Sequence, residues 1–331
     1  MKDFILIITN ADDETIEPVV KHLEEMNEKF YRFNTENFPA ETALELALLD
    51  GNLTGSLKNK NRDLVIEWVK VKSVWYRRPA ASRIAREMAE GYIKFIKDEA
   101  GAALWSLYTS LDAFWMNPPL ISQRLLEHNK LYQLKLASQV GLSVPDTIIT
   151  SDPKDLLAFC QRHGGVIALK ILKGKFFTKE GSNVPLFVFT QRISAKELQE
   201  HFEDIKLAPI LAQEYIEKKI ELRITIVGQK IFTCAIHSQD SEQTRIDWRR
   251  YDFRNVKHLP YQLPEEIKQK LHKLVKIWNL SFGAIDMILT PEGKYVFLEI
   301  NPNGQWLWIE QLTEMPISRA IAELLANPPN R

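Results

Sequence analysis

Two patterns of apolar and polar positions alternate along this chain. Residues 4–9 form an unbroken apolar run, Phe-Ile-Leu-Ile-Ile-Thr, which suits a strand buried on both faces of a parallel sheet. Residues 14–26 switch to a helical period, with Pro18 early enough to fit a first turn. Short strands are predicted at 29–33 and 73–76, the second running into Arg77-Arg78-Pro79, and a long helical stretch at 82–110. Asn117-Pro118-Pro119 then breaks the chain. A helix is predicted at 122–140, ended by Gly141, with Val144-Pro145 leading into a strand at Thr147–Thr150. Ser151-Asp152-Pro153 caps another helix, with proline in its first turn. A strand follows at 166–172, and Gly181-Ser182 reads as the tip of a hairpin pairing 175–180 with 185–190. A strand series comes next, at 211–216, 222–227 and 231–236, with Gly228-Gln229 as a two-residue turn. A basic loop and a helix at 264–278 precede strands at 283–289 and 295–300, and a last helix covers about 318–325. These elements predict an α/β fold in three parts, 1–118, 119–210 and 211–331.

Composition narrows the function classes. Of 331 residues, 43 are Lys or Arg and 43 are Asp or Glu, and 45% are hydrophobic. That balance supports a folded core and lacks the basic excess of a general nucleic-acid binder. No run approaches the length of a membrane span. The opening MKDFILIITNADDE lacks the shape of a signal peptide, since acidic residues follow a short apolar run. Cys160 and Cys234, both in apolar surroundings, are too few for a disulfide framework and read as buried thiols of a reducing compartment. The expectation is a cytoplasmic protein with no nucleic-acid or membrane partner.

The last strand pair carries the strongest chemical signal. A two-residue turn at Glu292-Gly293 would set Asp286 opposite Glu299, with Asn301 on the same face. Two unpaired carboxylates so placed repel and lose hydration, so a cation is one compensation, and hard oxygen donors without His or Cys suit Mg²⁺. A pair of strand-edge acids facing solvent is the alternative. Lys170 lies inside an apolar strand and calls for an anion such as phosphate, unless it snorkels from the strand end. Glu221, Arg223 and Thr225 would share one polar working face of a half-buried strand, or equally the wet face of a surface strand with a Glu/Arg pair. Arg245, Arg249, Arg250, Arg254 and Lys257 crowd one loop, either as grips for carboxylate or phosphate or as a solvated basic surface.

The order of these pieces resembles the ATP-grasp superfamily: a helix Lys, a strand Lys, Gln213-Glu-Tyr-Ile216, Glu221-x-Arg223, Asp247-Trp-Arg249, then Asp286 and Glu299-Ile-Asn-Pro-Asn303. Ser73-Val-Trp-Tyr-Arg-Arg-Pro79 and Asn301-Pro-Asn-Gly-Gln-Trp-Leu-Trp308 further resemble the microviridin-type peptide ligases, also called graspetide synthetases, over nearly the whole chain. The resemblance implies an ATP-grasp fold with an N-terminal pre-ATP-grasp α/β domain, a small central domain and a C-terminal ATP-binding sheet domain. It implies ATP and Mg²⁺ as cofactors and, as partner, a precursor peptide with a leader and an acidic core. It also implies a homodimer.

Carried over residue by residue, Lys130 and Lys170 would hold phosphates. Glu214, Tyr215 and Ile216 would hold adenine, Glu214 and Ile216 through backbone groups, and Glu221 the ribose. Asp286, Glu299 and Asn301 would bind Mg²⁺. Arg223 and Arg249 would act at the transferring phosphate and acyl group. Arg77, Arg78 and Arg245 are substrate candidates, Arg77 and Arg78 equally so for an interdomain contact. One departure is the stretch 173–182, which has only scattered glycines where many ATP-grasp enzymes carry a Gly-rich phosphate lid. This hairpin could instead meet the leader, and its Phe176, Phe177, Phe187 and Phe189 would also suit core packing.

The implied activity is macrocyclisation: an Asp or Glu side chain becomes an acyl phosphate, then joins a Thr or Ser hydroxyl as an ω-ester, or a Lys amine as an ω-amide. His237, Asp240 and Asp247 are candidate bases. The middle domain is expected to move to exclude water. Two other readings stay open, a RimK-like ligase of amino acids or small peptides and a regulatory module that binds ATP without turnover.

Overall fold

The computed structural model describes residues 2–62, 64–84, 88–121, 126, 129–173, 176–178 and 185–329, in two compact units. The first holds residues 1–122 with 279–282 and 316–331. It runs β1 (Phe4–Thr9), α1 (Glu17–Glu25), β2 (Lys29–Asn34), β3 (Thr42–Leu49), β4 (Asn52–Asn59), β5 (Leu64–Glu67), β6 (Val71–Tyr76), α2 (Glu90–Ser110) and β7 (Phe114–Met116). A four-stranded sheet in the order β2-β1-β6-β7 is parallel throughout. Ile5, Leu6, Ile7 and Ile8 are all buried, as an unbroken apolar run demands when both sheet faces are covered. Asp13 caps the turn before α1 by accepting from the Thr15 amide, and Val19 and Leu23 bury one side of that helix.

β3, β4 and β5 form a separate antiparallel sheet that no sequence pattern above anticipated. Leu57, Ile66 and Trp68 tie it to the same core as Leu6 and Ile8. Helix α2 is shorter than the predicted 82–110, beginning only after Ala89, whose backbone is extended.

The second unit holds residues 123–278 and 283–315. It runs α3 (Lys130–Gln139), β8 (Thr147–Thr150), α4 (Pro153–Arg162), β9 (Val166–Lys170), β10 (Phe176–Thr178), β11 (Pro185–Phe187), β12 (Gln191–Ser194), α5 (Ala195–Glu200), α6 (Phe202–Ile205), β13 (Ile210–Glu214), β14 (Ile220–Val227), β15 (Lys230–Ile236), β16 (His258–Pro260), α7 (Glu265–Ile277), β17 (Phe282–Leu289), β18 (Tyr295–Asn301) and α8 (Leu307–Thr313). One sheet has the order β12-β9-β13-β8, with α4, α5 and α6 around a core of Leu156, Phe159, Cys160 and Ile167. The other has the order β16-β15-β14-β17-β18. Of the expected pairing of 175–180 with 185–190, the part Phe176–Thr178 against Pro185–Phe187 is present as β10 and β11. Its tip, Gly181-Ser182, lies outside the described residues, as does His128 in the predicted 122–140 helix.

The final helix α9 (Ile317–Ala326) belongs to the first unit, although it ends the 211–331 segment. The Ser73 hydroxyl of β6 donates to its Leu325 carbonyl at 2.7 Å. No helix among the described residues is long and apolar enough to cross a membrane.

Candidate active site

The two sheets of the second unit line one pocket. Lys170 enters from the end of β9. Glu214 ends β13, followed in the wall by Tyr215, Ile216 and Lys218. Glu221 begins β14, Asp247 and Arg249 come from a loop, and Asp286 and Glu299 from β17 and β18. Strand ends and the loops that follow them supply most of this chemistry, on a scaffold that fixes their positions.

Asp286 does stand opposite Glu299, but the expected turn is wrong. The Thr290 amide donates to the Lys294 carbonyl, and the Gly293 amide donates to the Thr290 carbonyl. The loop therefore has three residues, Pro291 to Gly293, and Gly293 takes a φ of +85°, as such loops require. That shifts the register by one, so Met287 faces Phe297. A bulge between Asp286 and Met287 shifts it back. Two departures from the simple hairpin cancel, and the carboxylates meet.

Each acid has a cation. Arg223 donates from Nη1 to Asp286 Oδ1 at 3.0 Å and from Nη2 to the Gln305 carbonyl at 3.1 Å. Lys130, at the start of α3, sits 2.9 Å from Glu299. Burial pushes the Asp286 carboxyl up; Arg223 opposes this and Glu299 adds to it. For Glu299, burial also acts upward, but Lys130, Arg249 and Lys170 outweigh it and hold the carboxyl low. Asn301 faces Ala284 across the hairpin, and its side-chain oxygen accepts from the Asn303 amide at 2.9 Å. Among the described residues no three His, Cys, Asp or Glu form a metal-binding cluster. Two opposed carboxylates with a nearby amide oxygen fit Mg²⁺ all the same. That ion keeps several waters and draws its remaining ligands from substrate phosphates.

Arg249 is held hardest. Its Nε donates to Asp247 Oδ1 at 2.8 Å and its Nη2 to Oδ2 at 2.6 Å. The backbone amides of Thr190 and Arg249 also donate to that carboxylate. Burial would raise the Asp247 carboxyl, but the Arg249 fork and these amides hold it well below the carboxylate range. So occupied, Asp247 anchors Arg249 and does not fit the role of base. Lys170 makes no ion pair among the described residues. Burial and then Lys130 bring it down to about 8, with Glu299 opposing. Glu221 accepts from Lys218 at 3.0 Å. Sequence reasoning missed Lys218, which sits among charged residues with no pattern to single it out.

Strand β14 corrects another expectation. All eight of its residues are buried, so both of its faces are covered. Arg223 and Glu221 are therefore interior polar groups with partners, not the wet face of a half-buried strand. Three substrate candidates lie elsewhere. Arg77 is buried in the first unit, 3.7 Å from Asp13, and Arg78 is exposed there. Arg245 is exposed in the second unit and pairs with Glu242 at 2.6 Å. None of the three lines the pocket.

Comparison with known proteins points to one family. Residues 4–122 fit the MvdD pre-ATP grasp domain, and residues 127–325 the RimK-like ATP-grasp domain. A RiPP-associated ATP-grasp ligase from Chryseobacterium gregarium, solved with ADP and a leader and core peptide, is 32% identical. The match covers 99% of this chain and 98% of that one, with a TM-score of 0.89. The macrocyclase MdnC of Microcystis aeruginosa MRC, bound to the precursor peptide MdnA, is 34% identical over 98% of this chain and 99% of that one, with a TM-score of 0.82. A probable alpha-L-glutamate ligase from Photobacterium profundum is 24% identical over 68% of this chain and 71% of its own length. The resemblance carried by the motifs is thus borne out, and the chain belongs to the ATP-grasp ligases, in the family of the RiPP-associated ATP-grasp ligases.

Proposed function

We propose that this chain is an ATP-dependent macrocyclase of a ribosomally made precursor peptide with a leader and an acidic core. The observation that carries the reading is the charge arrangement of one pocket. Lys170, which makes no ion pair among the described residues, and an arginine pinned by Asp247 stand around two opposed carboxylates. Such a set suits a polyphosphate and a carboxylate brought together. Lys130 and Lys170 would take phosphates, Lys130 by exchanging Glu299 for them. Glu214, Tyr215 and Ile216 would take adenine, and Glu221 the ribose. Asp286, Glu299 and Asn301 would hold Mg²⁺, which supplies charge neutralisation at the phosphates when bound.

A carboxylate resists attack because charge and resonance protect it. Transfer of the γ-phosphoryl group to an Asp or Glu side chain of the core releases ADP and leaves an acyl phosphate. A Thr or Ser hydroxyl then attacks the carbonyl, phosphate departs and an ω-ester remains. Arg249 and Arg223 would steady the oxyanion between these steps. An amide to Lys follows the same course. A cytoplasmic setting, where ATP is found, is part of this reading and accords with two free, buried cysteines.

A homodimer belongs to it as well. β3 is an open sheet edge in the first unit, and Leu48, Leu49 and Leu53 are exposed at its hairpin tip. Light scattering should give twice the mass of one chain; a monomer at micromolar concentration would remove the dimer.

The test is the intact mass of the acidic peptide encoded beside this gene, after incubation with protein, ATP and Mg²⁺. Loss of one water per link, dependent on ATP, supports macrocyclisation, and mild alkali opens esters but not amides. Unchanged peptide together with ADP release on free glutamate would favour the RimK-like reading, to which the matched glutamate ligases point. No ADP release with any substrate would favour a regulatory module.

A further inference from the structure

Beside the charged groups of the second unit stands an aromatic wall. Trp248 stacks on Trp308 at 5.0 Å between ring centres, and Tyr251 stacks on Phe253 at 5.2 Å. Tyr251 meets Trp308 edge-on at 6.1 Å, and His258 does the same at 5.7 Å from the other strand edge. A core cluster of this size would be sealed, yet Tyr251 is 44% and Phe253 52% exposed. Exposed aromatic faces gathered in one place mark a binding surface more often than a packing one.

Three links tie the wall to the proposed reaction centre. The Arg223 guanidinium lies 5.8 Å over the Trp248 ring while it holds Asp286. Its other nitrogen grips the Gln305 carbonyl, three residues before Trp308. The Tyr251 phenol, raised mainly by burial, also feels Arg223, Arg249 and Asp286. The backbone adds a fourth observation. Tyr251 has φ +47° and ψ 121°, a region that side chains other than glycine rarely adopt, and such strain gathers at functional sites. Exposed Arg250 and Arg254 flank Tyr251 and Phe253 in the sequence, and Arg250 lies 5.3 Å over Phe189.

We propose that Tyr251, Phe253 and Trp308 form a specificity subsite of the peptide, holding an apolar or aromatic side chain next to the acidic residue being activated. This rests on the function proposed above. Apolar rings on a segment that also carries exposed Arg250 and Arg254 suit a peptide that sets apolar beside acidic residues, and Arg223, which holds Asp286, lies against the Trp248 ring of the wall. Holding the neighbour fixes the reacting carboxylate in place. Trp248, buried beneath, makes the wall rigid.

The test uses two fluorescein-labelled versions of the acidic peptide encoded beside the gene, with Phe or Ser after the reacting Asp. Binding is read by anisotropy, which needs no turnover, and linkage by mass. Wild type should bind the Phe version more tightly, and Phe253→Ala should weaken that binding about 10- to 100-fold while the Ser version barely changes. Tyr251→Gly should weaken the Phe version too, yet keep or raise the urea midpoint, because glycine relieves the backbone. A structural role would instead lower stability and binding together. Equal binding of both versions by wild type overturns the subsite. So does an equal loss for both in the variants, or a change of molecular mass, which would make the wall a contact between copies. Preference for the Phe version without any linkage would support the subsite and defeat the macrocyclase reading.

Discussion

Arg77 with Asp13 in the first unit and Arg249 with Asp247 in the second are both arginine–aspartate pairs, and they differ in kind. In the first unit Arg77 lies 3.7 Å from Asp13, with side chains 1% and 0% exposed. Burial, followed by the neighbouring charge of Arg78, brings its guanidinium down to about 9, with Asp13 opposing. In the second unit Arg249 grips Asp247 through both carboxylate oxygens and stays 35% exposed. That fork, working against burial, holds its guanidinium above the ordinary value. Burial of a charge thus does not by itself make a site. Arg77 is closed in and serves the fold. Arg249 is fastened on one side and open on the other, so it can meet an anion without moving.

The sharpest way to break this comparison is to remove each arginine. Arg249→Ala should lower product formation by about 10²- to 10³-fold, with a stability loss of about 1–3 kcal/mol from the stranded Asp247. Arg77→Ala should cost about 3 kcal/mol, since it leaves the Asp13 charge buried without a cation, though the Thr9 and Thr15 hydrogen bonds to it remain, while the folded fraction keeps its turnover rate. Urea unfolding and single-turnover kinetics on both variants check the pair. If Arg77→Ala removes turnover in well-folded protein, the assignment of a structural role is wrong.

Next in size is the scaffold behind Arg223. A Cβ on Gly304 would lie 2.3 Å from the Ala284 Cβ and 3.0 Å from Arg223 Nη2. The alanine side chain has no flexible end to yield. Gly304→Ala should cost about 1–3 kcal/mol by overpacking and should lower turnover by displacing Arg223, with nucleotide affinity less affected. Wild-type stability by thermal unfolding would contradict it.

A smaller effect concerns pH. Lys170, brought down to about 8, is cationic below that value and neutral above it. Nucleotide affinity should therefore fall as pH rises through about 8, and Lys170→Arg should flatten the profile, since arginine keeps its charge. Titration of a fluorescent ATP analogue at several pH values reads this. A profile for Lys170→Arg identical to that of wild type would assign the pH dependence elsewhere.

Smallest is the acid limb of stability. The Asp247 carboxyl is held below its unfolded value, so the stability it contributes is complete above about pH 4 and drains away as pH falls further. Asp247→Asn should lessen that acid-dependent loss, read from urea midpoints across the range.

The sequence was most legible where one periodicity ruled. β1 and β8 lie where their patterns put them, and α4 starts at the Asp152 cap. The acid pair was legible for a partly mistaken reason, because a longer loop and a bulge offset each other. β3 and β4 were missed although Asp50-Gly51 marks their turn, both residues having positive φ. Their pattern is blurred, for β3 is only half-buried and its apolar residues reach solvent at the tip. β14 misled in the opposite way. Its alternating polar residues suggested a wet face, yet each charge is matched by a partner that lies far away in sequence or on a loop, such as Asp286 for Arg223. Polar residues in a strand report water only when no partner reaches them, and such partners are invisible before the fold is known. The aromatic wall is another case, since Trp308 meets Trp248 and Tyr251 only through tertiary structure.

The central claim is that this pocket activates a peptide carboxylate. The direct measurement is transfer of heavy oxygen from precursor peptide labelled in its Asp and Glu side-chain carboxylates. The account predicts one labelled oxygen in inorganic phosphate for every link formed, lost together with the link in Arg249→Ala. Links formed with unlabelled phosphate would contradict it, because the carboxylate would then have been joined without ever carrying the phosphoryl group.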